Sequence, residues 1–233
     1  MRYVLALGLA AAALTLQLAE SSARRVLARA TEAPLEAPSP KTGSVAGVVR
    51  SLARLKTRGE TSERDLVVHL APQSGTQVPA APSEALVVKQ VKLQFDPHVL
   101  PVQAGTKVAF TNDDSVTHNV FSQEECCKVD RDMAANERAE VAFPKAGVVP
   151  IVCRLHPDMS LWVIVLDHPW FTRTEFAKVE GEGEKAYEAR FRIDGVPPGT
   201  YTLTTWNKKL AAVTQTVTVT ADAVMEVALT LDK

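Results

Sequence analysis

The chain has 233 residues, with 26 Lys and Arg against 27 Asp and Glu, so its formal net charge is −1 and no global field draws polyanions to it. An apolar fraction of 46% with 23% charged residues is ordinary for a folded chain and excludes a disordered, low-complexity one. The length admits one large or two small domains, and no basic cluster interleaved with aromatics marks a nucleic-acid partner.

Met1 and Arg2 precede an apolar run over residues 3–16, followed by small residues. This reads as a secretory signal over 1–23, with Ser21-Ser22-Ala23 as a cleavage site and Ala28-Arg29-Ala30 as an alternative. The run is shorter than the ~20 residues a spanning helix needs. The expected mature protein is therefore periplasmic or secreted, without stable membrane insertion. Residues 24–43, with Pro34, Pro38 and Pro40, read as a linker.

From residue 44 the pattern is that of strands. Apolar, β-branched runs predict strands over 45–50 and 65–70, separated by a charged loop over 56–64 and followed by a turn-rich stretch over 72–83. His69, inside an apolar strand, reads as structural. One strand is expected over 87–95 and another over 107–112, which leads into the turn-forming Asp113-Asp114-Ser115 and then His118. Residues 138–143 alternate as a strand should. The runs 147–152 and 159–166 predict two strands flanking the loop Cys153-Arg154-Leu155-His156-Pro157-Asp158-Met159.

That loop presents a thiolate, an imidazole and a thioether at Cys-x2-His-x2-Met spacing, and His118 supplies a second imidazole. Two His, one Cys and a weak axial Met form the donor set of a blue-copper electron-transfer site. Zinc is the nearest alternative, but its protein ligands are Cys, His and carboxylates rather than Met. Asn119, beside His118, carries an amide able to bond across to the Cys153 loop and brace it. His98 is the other histidine near enough in sequence to compete for the early ligand position, and Met133 reads as a surface or core residue.

These residues resemble the cupredoxin family over 86–167. The His118-Asn119-Val120 step is similar to that of plastocyanins and amicyanins, and the short gap from Cys153 to Met159 is closer to amicyanin. The resemblance implies a Greek-key β-sandwich holding one Cu(I)/Cu(II) ion, with His118, Cys153 and His156 equatorial and Met159 axial. It also implies one-electron exchange with a redox partner such as a c-type cytochrome or an oxidoreductase. The adjacent Cys126 and Cys127 depart from the family pattern. They could form a disulfide, pair between molecules, stay as thiols or bind metal, the last favouring a copper chaperone or sequestering protein.

Residues 168–233 read differently. A Gly/Glu-rich loop over 180–184 precedes strands expected over 189–194, 201–206, 214–220 and 225–231. The phrase Phe191-Arg192-Ile193-Asp194-Gly195-Val196-Pro197-Pro198-Gly199-Thr200-Tyr201 resembles the carboxypeptidase regulatory-like sandwich, a transthyretin-type fold. Such modules begin with strands like 45–50 and 65–70. The chain thus resembles an all-β protein in which a cupredoxin over 86–167 interrupts a sandwich formed by 44–85 and 168–233. Bacterial proteins labelled methylamine utilisation or plastocyanin-like proteins share this layout. In them a His commonly follows the Trp206 position; here it is Asn207. A third reading is a structural, carbohydrate-binding or protein-binding sandwich with a non-redox metal site. No Ser-His-Asp signature, phosphate loop or HExxH motif points to an enzyme.

Overall fold

Strands make up the regular structure of the computed structural model, which describes residues 41–55, 63–179 and 186–232. The secretory-signal reading over 1–23, nearly all of the linker, most of the 56–64 loop and the Gly/Glu-rich stretch lie outside those residues. Among the described residues no helix is long and apolar enough to cross a membrane.

Two groups of strands assemble separately. The first joins both ends of the chain: β1 (Gly43–Ser51), β2 (Asp65–Pro72), β12 (Phe171–Glu175), β13 (Ala177–Val179), β14 (Ala186–Val196), β15 (Gly199–Trp206), β16 (Thr214–Val219) and β17 (Val224–Thr230). They form two four-stranded sheets, ordered β13-β14-β1-β17 and β12-β2-β15-β16. In β14 the alternation is complete: Tyr187, Ala189, Phe191 and Ile193 enter the core, while Arg190, Arg192 and Asp194 face out. The same core takes Leu66, Val68 and Leu70 of β2 and Tyr201 and Leu203 of β15.

The intervening strands form the second sandwich: β3 (Leu86–Val91), β4 (Gln94–Asp96), β5 (Val99–Gln103), β6 (Thr106–Asn112), β7 (His118–Ser122), β8 (Val129–Met133), β9 (Arg138–Phe143), β10 (Gly147–Val152) and β11 (Ser160–Leu166). Its sheets are ordered β4-β3-β6-β9 and β5-β11-β10-β7-β8. Its core includes Phe95, Phe110, Val120, Met133, Phe143, Ile151, Cys153, Met159 and Leu161.

A third, smaller apolar cluster joins the two. Val67 of β2 packs with Val99, Ile164 and Leu166, flanked by Trp162, Phe171 and Trp206. Strand β11 is therefore covered on both faces. Leu161, Val163 and Val165 fill the second core, and Trp162, Ile164 and Leu166 turn toward the first sandwich. This double burial is why residues 161–166 read as an unbroken apolar run.

One expected element is corrected. The single strand over 87–95 is a hairpin, β3 and β4, reversing at Lys92 and Leu93 with φ of 57° and 59°. Such a turn ordinarily carries Asn-Gly, and neither residue is present to announce it. The Asp114 carboxylate accepts the Lys92 and Leu93 N–H groups at 2.7 and 2.9 Å, which offsets the cost of left-handed backbone at two non-glycine residues.

Candidate metal centre

His118 is the first residue of β7 and is fully buried. Cys153 follows β10 directly, and β10 neighbours β7 in the sheet. The loop from Cys153 to Met159 closes on itself through backbone bonds. His156 N–H donates to the Cys153 carbonyl at 3.3 Å, Met159 N–H to the His156 carbonyl at 3.0 Å and Cys153 N–H to the Met159 carbonyl at 3.2 Å. The adjacent strands thus bring together donors 38 positions apart.

His118 Nδ1 lies 3.1 Å from His156 Nδ1, and Cys153 Sγ lies 3.5 Å from His156 Nδ1. All three donor atoms fall within 4.8 Å of one another. An ion about 2.0 Å from nitrogen and about 2.3 Å from sulfur, in a trigonal arrangement, needs edges of roughly 3.5 Å, which the two separations from His156 Nδ1 approach. Met159 is fully buried in the core that contains Cys153.

The surroundings prepare these donors. His118 Nε2 lies 2.9 Å from Asp114 Oδ2. Burial works to raise the Asp114 carboxyl, but the Leu93 N–H, His118 and the Lys92 N–H outweigh it and hold the group below the usual carboxylate range. An ionised carboxylate only accepts, so His118 carries its hydrogen on Nε2 and leaves the Nδ1 lone pair toward the cluster. The Asn119 backbone N–H donates to Cys153 Sγ at 3.3 Å.

Asn119 departs from its expected role. Its side-chain amide does not reach the Cys153 loop; Nδ2 donates to Asp130 Oδ1 at 3.1 Å and Asp132 Oδ1 at 2.7 Å. Asp132 stands directly opposite Asn119 in the β7–β8 register, and charged acceptors bind an amide more strongly than neutral ones. Asp114, Asp130 and Asp132 carried no signal of this kind in the sequence; Asp114 read as a turn former.

The remaining sulfur and imidazole groups lie elsewhere. Cys126 and Cys127 are both free thiols. The Cys127 thiol donates to the Ala142 carbonyl at 3.4 Å, and burial together with the neighbouring Cys126 pushes it up to about 11. Met133 is a core residue whose Sδ accepts from Gln90 Nε2 at 3.2 Å. His98 lies beside β5, at the edge of its sheet, and its carbonyl accepts the Trp162 N–H. His69 Nδ1 meets His168 Nε2 at 3.3 Å. Asn207 clamps a turn: its Nδ2 donates to the Glu63 and Asp65 carbonyls and its Oδ1 accepts from Lys209 and Leu210. Among the described residues, His118, Cys153 and His156 form the one cluster of three such donors.

Residues 83–166 match the family model described as copper binding proteins, plastocyanin/azurin family. This segment is a cupredoxin domain. Copper is its cofactor, in agreement with a donor set of one thiol and two imidazoles. Residues 182–227 match the model described as polysaccharide lyase family 4, domain II. No curated protein matches the chain. Similar solved structures include a purple cupredoxin from Nitrosopumilus maritimus, 26% identical with a TM-score of 0.31, the match covering 35% of this chain and 99% of that one. A mutant amicyanin in its Cu(I) form is 23% identical with a TM-score of 0.34, covering 42% and 98%. A copper-containing nitrite reductase from Thermus scotoductus SA-01 is 23% identical with a TM-score of 0.33, covering 41% of this chain and 25% of that one.

Proposed function

We propose that this protein is an exported one-electron carrier, not an enzyme, with a single type 1 copper held by His118, Cys153, His156 and Met159. The observation that carries the reading is the convergence of His118 Nδ1, His156 Nδ1 and Cys153 Sγ, with a backbone N–H already aimed at the sulfur. Bound copper supplies one reversible electron. The chain supplies a tight loop, a fixed imidazole tautomer and a buried thiolate, so little has to move when the charge changes. His156 is half-buried, whereas His118 is closed off, and exposed Leu155 and Pro157 flank it in sequence. Its ring edge is therefore the exit toward a partner such as a c-type cytochrome or an oxidoreductase. We place the protein in the periplasm or outside the cell, on the apolar run over 3–16.

The surrounding sandwich is read as a carboxypeptidase regulatory-like module. Support comes from the pairing of β1 with β14 and of β2 with β15, which unites the two ends of the chain as that layout requires.

A Cu(II) titration of the purified protein tests the electron-carrier reading. The expected result is an intense thiolate-to-copper absorption saturating at one equivalent, bleached by ascorbate and restored by oxidant. Cys153→Ala should abolish the band altogether. Retained colour in that variant, or uptake of several Cu(I) ions without colour, would overturn the reading, the latter in favour of copper handling.

A further inference from the structure

Two residues that each follow a ligand in the chain meet on one oxygen atom. Asn119 follows His118, and its Nδ2 donates to Asp130 Oδ1 at 3.1 Å. Arg154 follows Cys153, and its guanidinium donates to the same Oδ1 at 2.6 Å. The guanidinium also lies over the Phe121 ring, 4.9 Å from its centroid. Register explains the meeting: Phe121 stands between Val152 of β10 and Asp130 of β8. Arg154 thus reaches across Phe121 from the end of β10 to the edge strand.

We propose that Asp130 is a positioning residue for the copper centre, tying the Cys153 loop through Arg154 to the His118 strand through Asn119. The inference rests on the copper reading above. What the tie holds constant is the 3.3 Å approach of the Asn119 N–H to Cys153 Sγ. The Asp130–Arg154 pair is about half exposed, so it adds little to global stability. The Asn119 side chain is fully buried, so its position depends on the two carboxylates it meets. The tie therefore acts on the geometry at sulfur rather than on folding. When it is lost, the N–H···S bond lengthens, the thiolate donates more strongly, and the oxidised ion is favoured.

Asp130→Ala, Arg154→Gln and Asp130→Asn in the full chain, each loaded with one copper, separate this from a plain charge effect. Asp130→Ala removes a negative charge and Arg154→Gln a positive one, so charge alone shifts the reduction potential in opposite directions. A lost tie shifts both downward, alters the thiolate-to-copper band in both, and speeds copper release to a chelator by ~10- to 100-fold, the usual effect of losing a group behind a ligand. Asp130→Asn keeps an oxygen acceptor and should fall between wild type and Asp130→Ala. In the copper-free proteins, alkylation of Cys153, read by peptide mass spectrometry, should be faster in both brace variants while the melting temperature stays near wild type. Potentials moving in opposite directions with an unchanged band, or no change in band, release and alkylation, would overturn the proposal. Should Asp130→Ala not fold, the exposed Arg154→Gln decides alone through band, release and alkylation. A wild-type protein that shows no thiolate-to-copper band removes the copper reading and this inference together, whereas a normal wild-type band with unaffected variants removes only the inference.

Discussion

The Asp114 carboxylate accepts from three donors: the Lys92 and Leu93 N–H groups and His118 Nε2. It stabilises a left-handed two-residue turn and sets the tautomer of His118 at once. Asp114→Asn preserves its shape but replaces a charged acceptor with a neutral one, so His118 becomes a poorer and less oriented donor. Copper affinity should fall by ~10-fold or more, measured by competition with a chelator, with the thiolate band still present. An unchanged affinity would mean that the loop backbone alone orients His118. The candidate donors Cys153, His156 and Met159 were legible in the sequence because thiol, imidazole and thioether within seven consecutive residues form a chemically rare combination. Asp114 was not legible, because an Asp four residues before a His, amid Asp and Ser, is indistinguishable from an ordinary turn former.

At the scale of elements, alternation marked the strands that are covered on one face, such as β14. It marked β11 less well, since a strand buried on both sides shows no polar face. Strands β5, β7, β8, β12 and β13 were not foreseen, being short or polar, and the β3–β4 hairpin was hidden by the lack of Asn-Gly. Gly47 in β1 shows a constraint invisible to patterning. A Cβ there would run into the Val227 carbonyl oxygen and lie 3.0 Å from the Phe191 ring, because β17 runs parallel against β1 at this point. Gly47→Ala forces the two strands apart and should cost about 1–3 kcal/mol in denaturant unfolding, the range typical of overpacking. A neutral result would show that the β1–β17 pairing adjusts freely.

At the scale of the whole molecule, the two sandwiches share the cluster around Val67, Val99, Ile164 and Leu166. Three histidines outside the proposed copper site are shielded. Burial lowers His69 to about 4; burial, then the Lys208 charge, lowers His98 to about 4; burial, then His69, lowers His168 to about 4. In the unfolded chain each titrates near its ordinary value of about 6.5. Above pH 6.5 both states leave these groups neutral. Between about 6.5 and 4 the unfolded state binds protons that the folded state refuses, so stability falls as the pH falls through that window and levels below it. Thermal melts of the copper-free protein should show this decline, and His168→Phe should flatten it. A melting temperature constant from pH 7 to 4 would contradict the shielding.

By itself the sequence determined the all-β class, most of the longer strands and which thiol, imidazole and thioether groups to propose as copper donors. Periodicity and short ligand spacing are set by residues a few positions apart, so one linear reading contains them. Only the tertiary structure decided which groups stand behind those donors. Asp130 meets Asn119 from 11 positions away and Arg154 from 24, and the sheet register alone brings the three together. The double covering of β11 and the shielding of His69 and His168 have the same origin. Each depends on two surfaces built from distant parts of the chain, and no local pattern encodes where such surfaces meet.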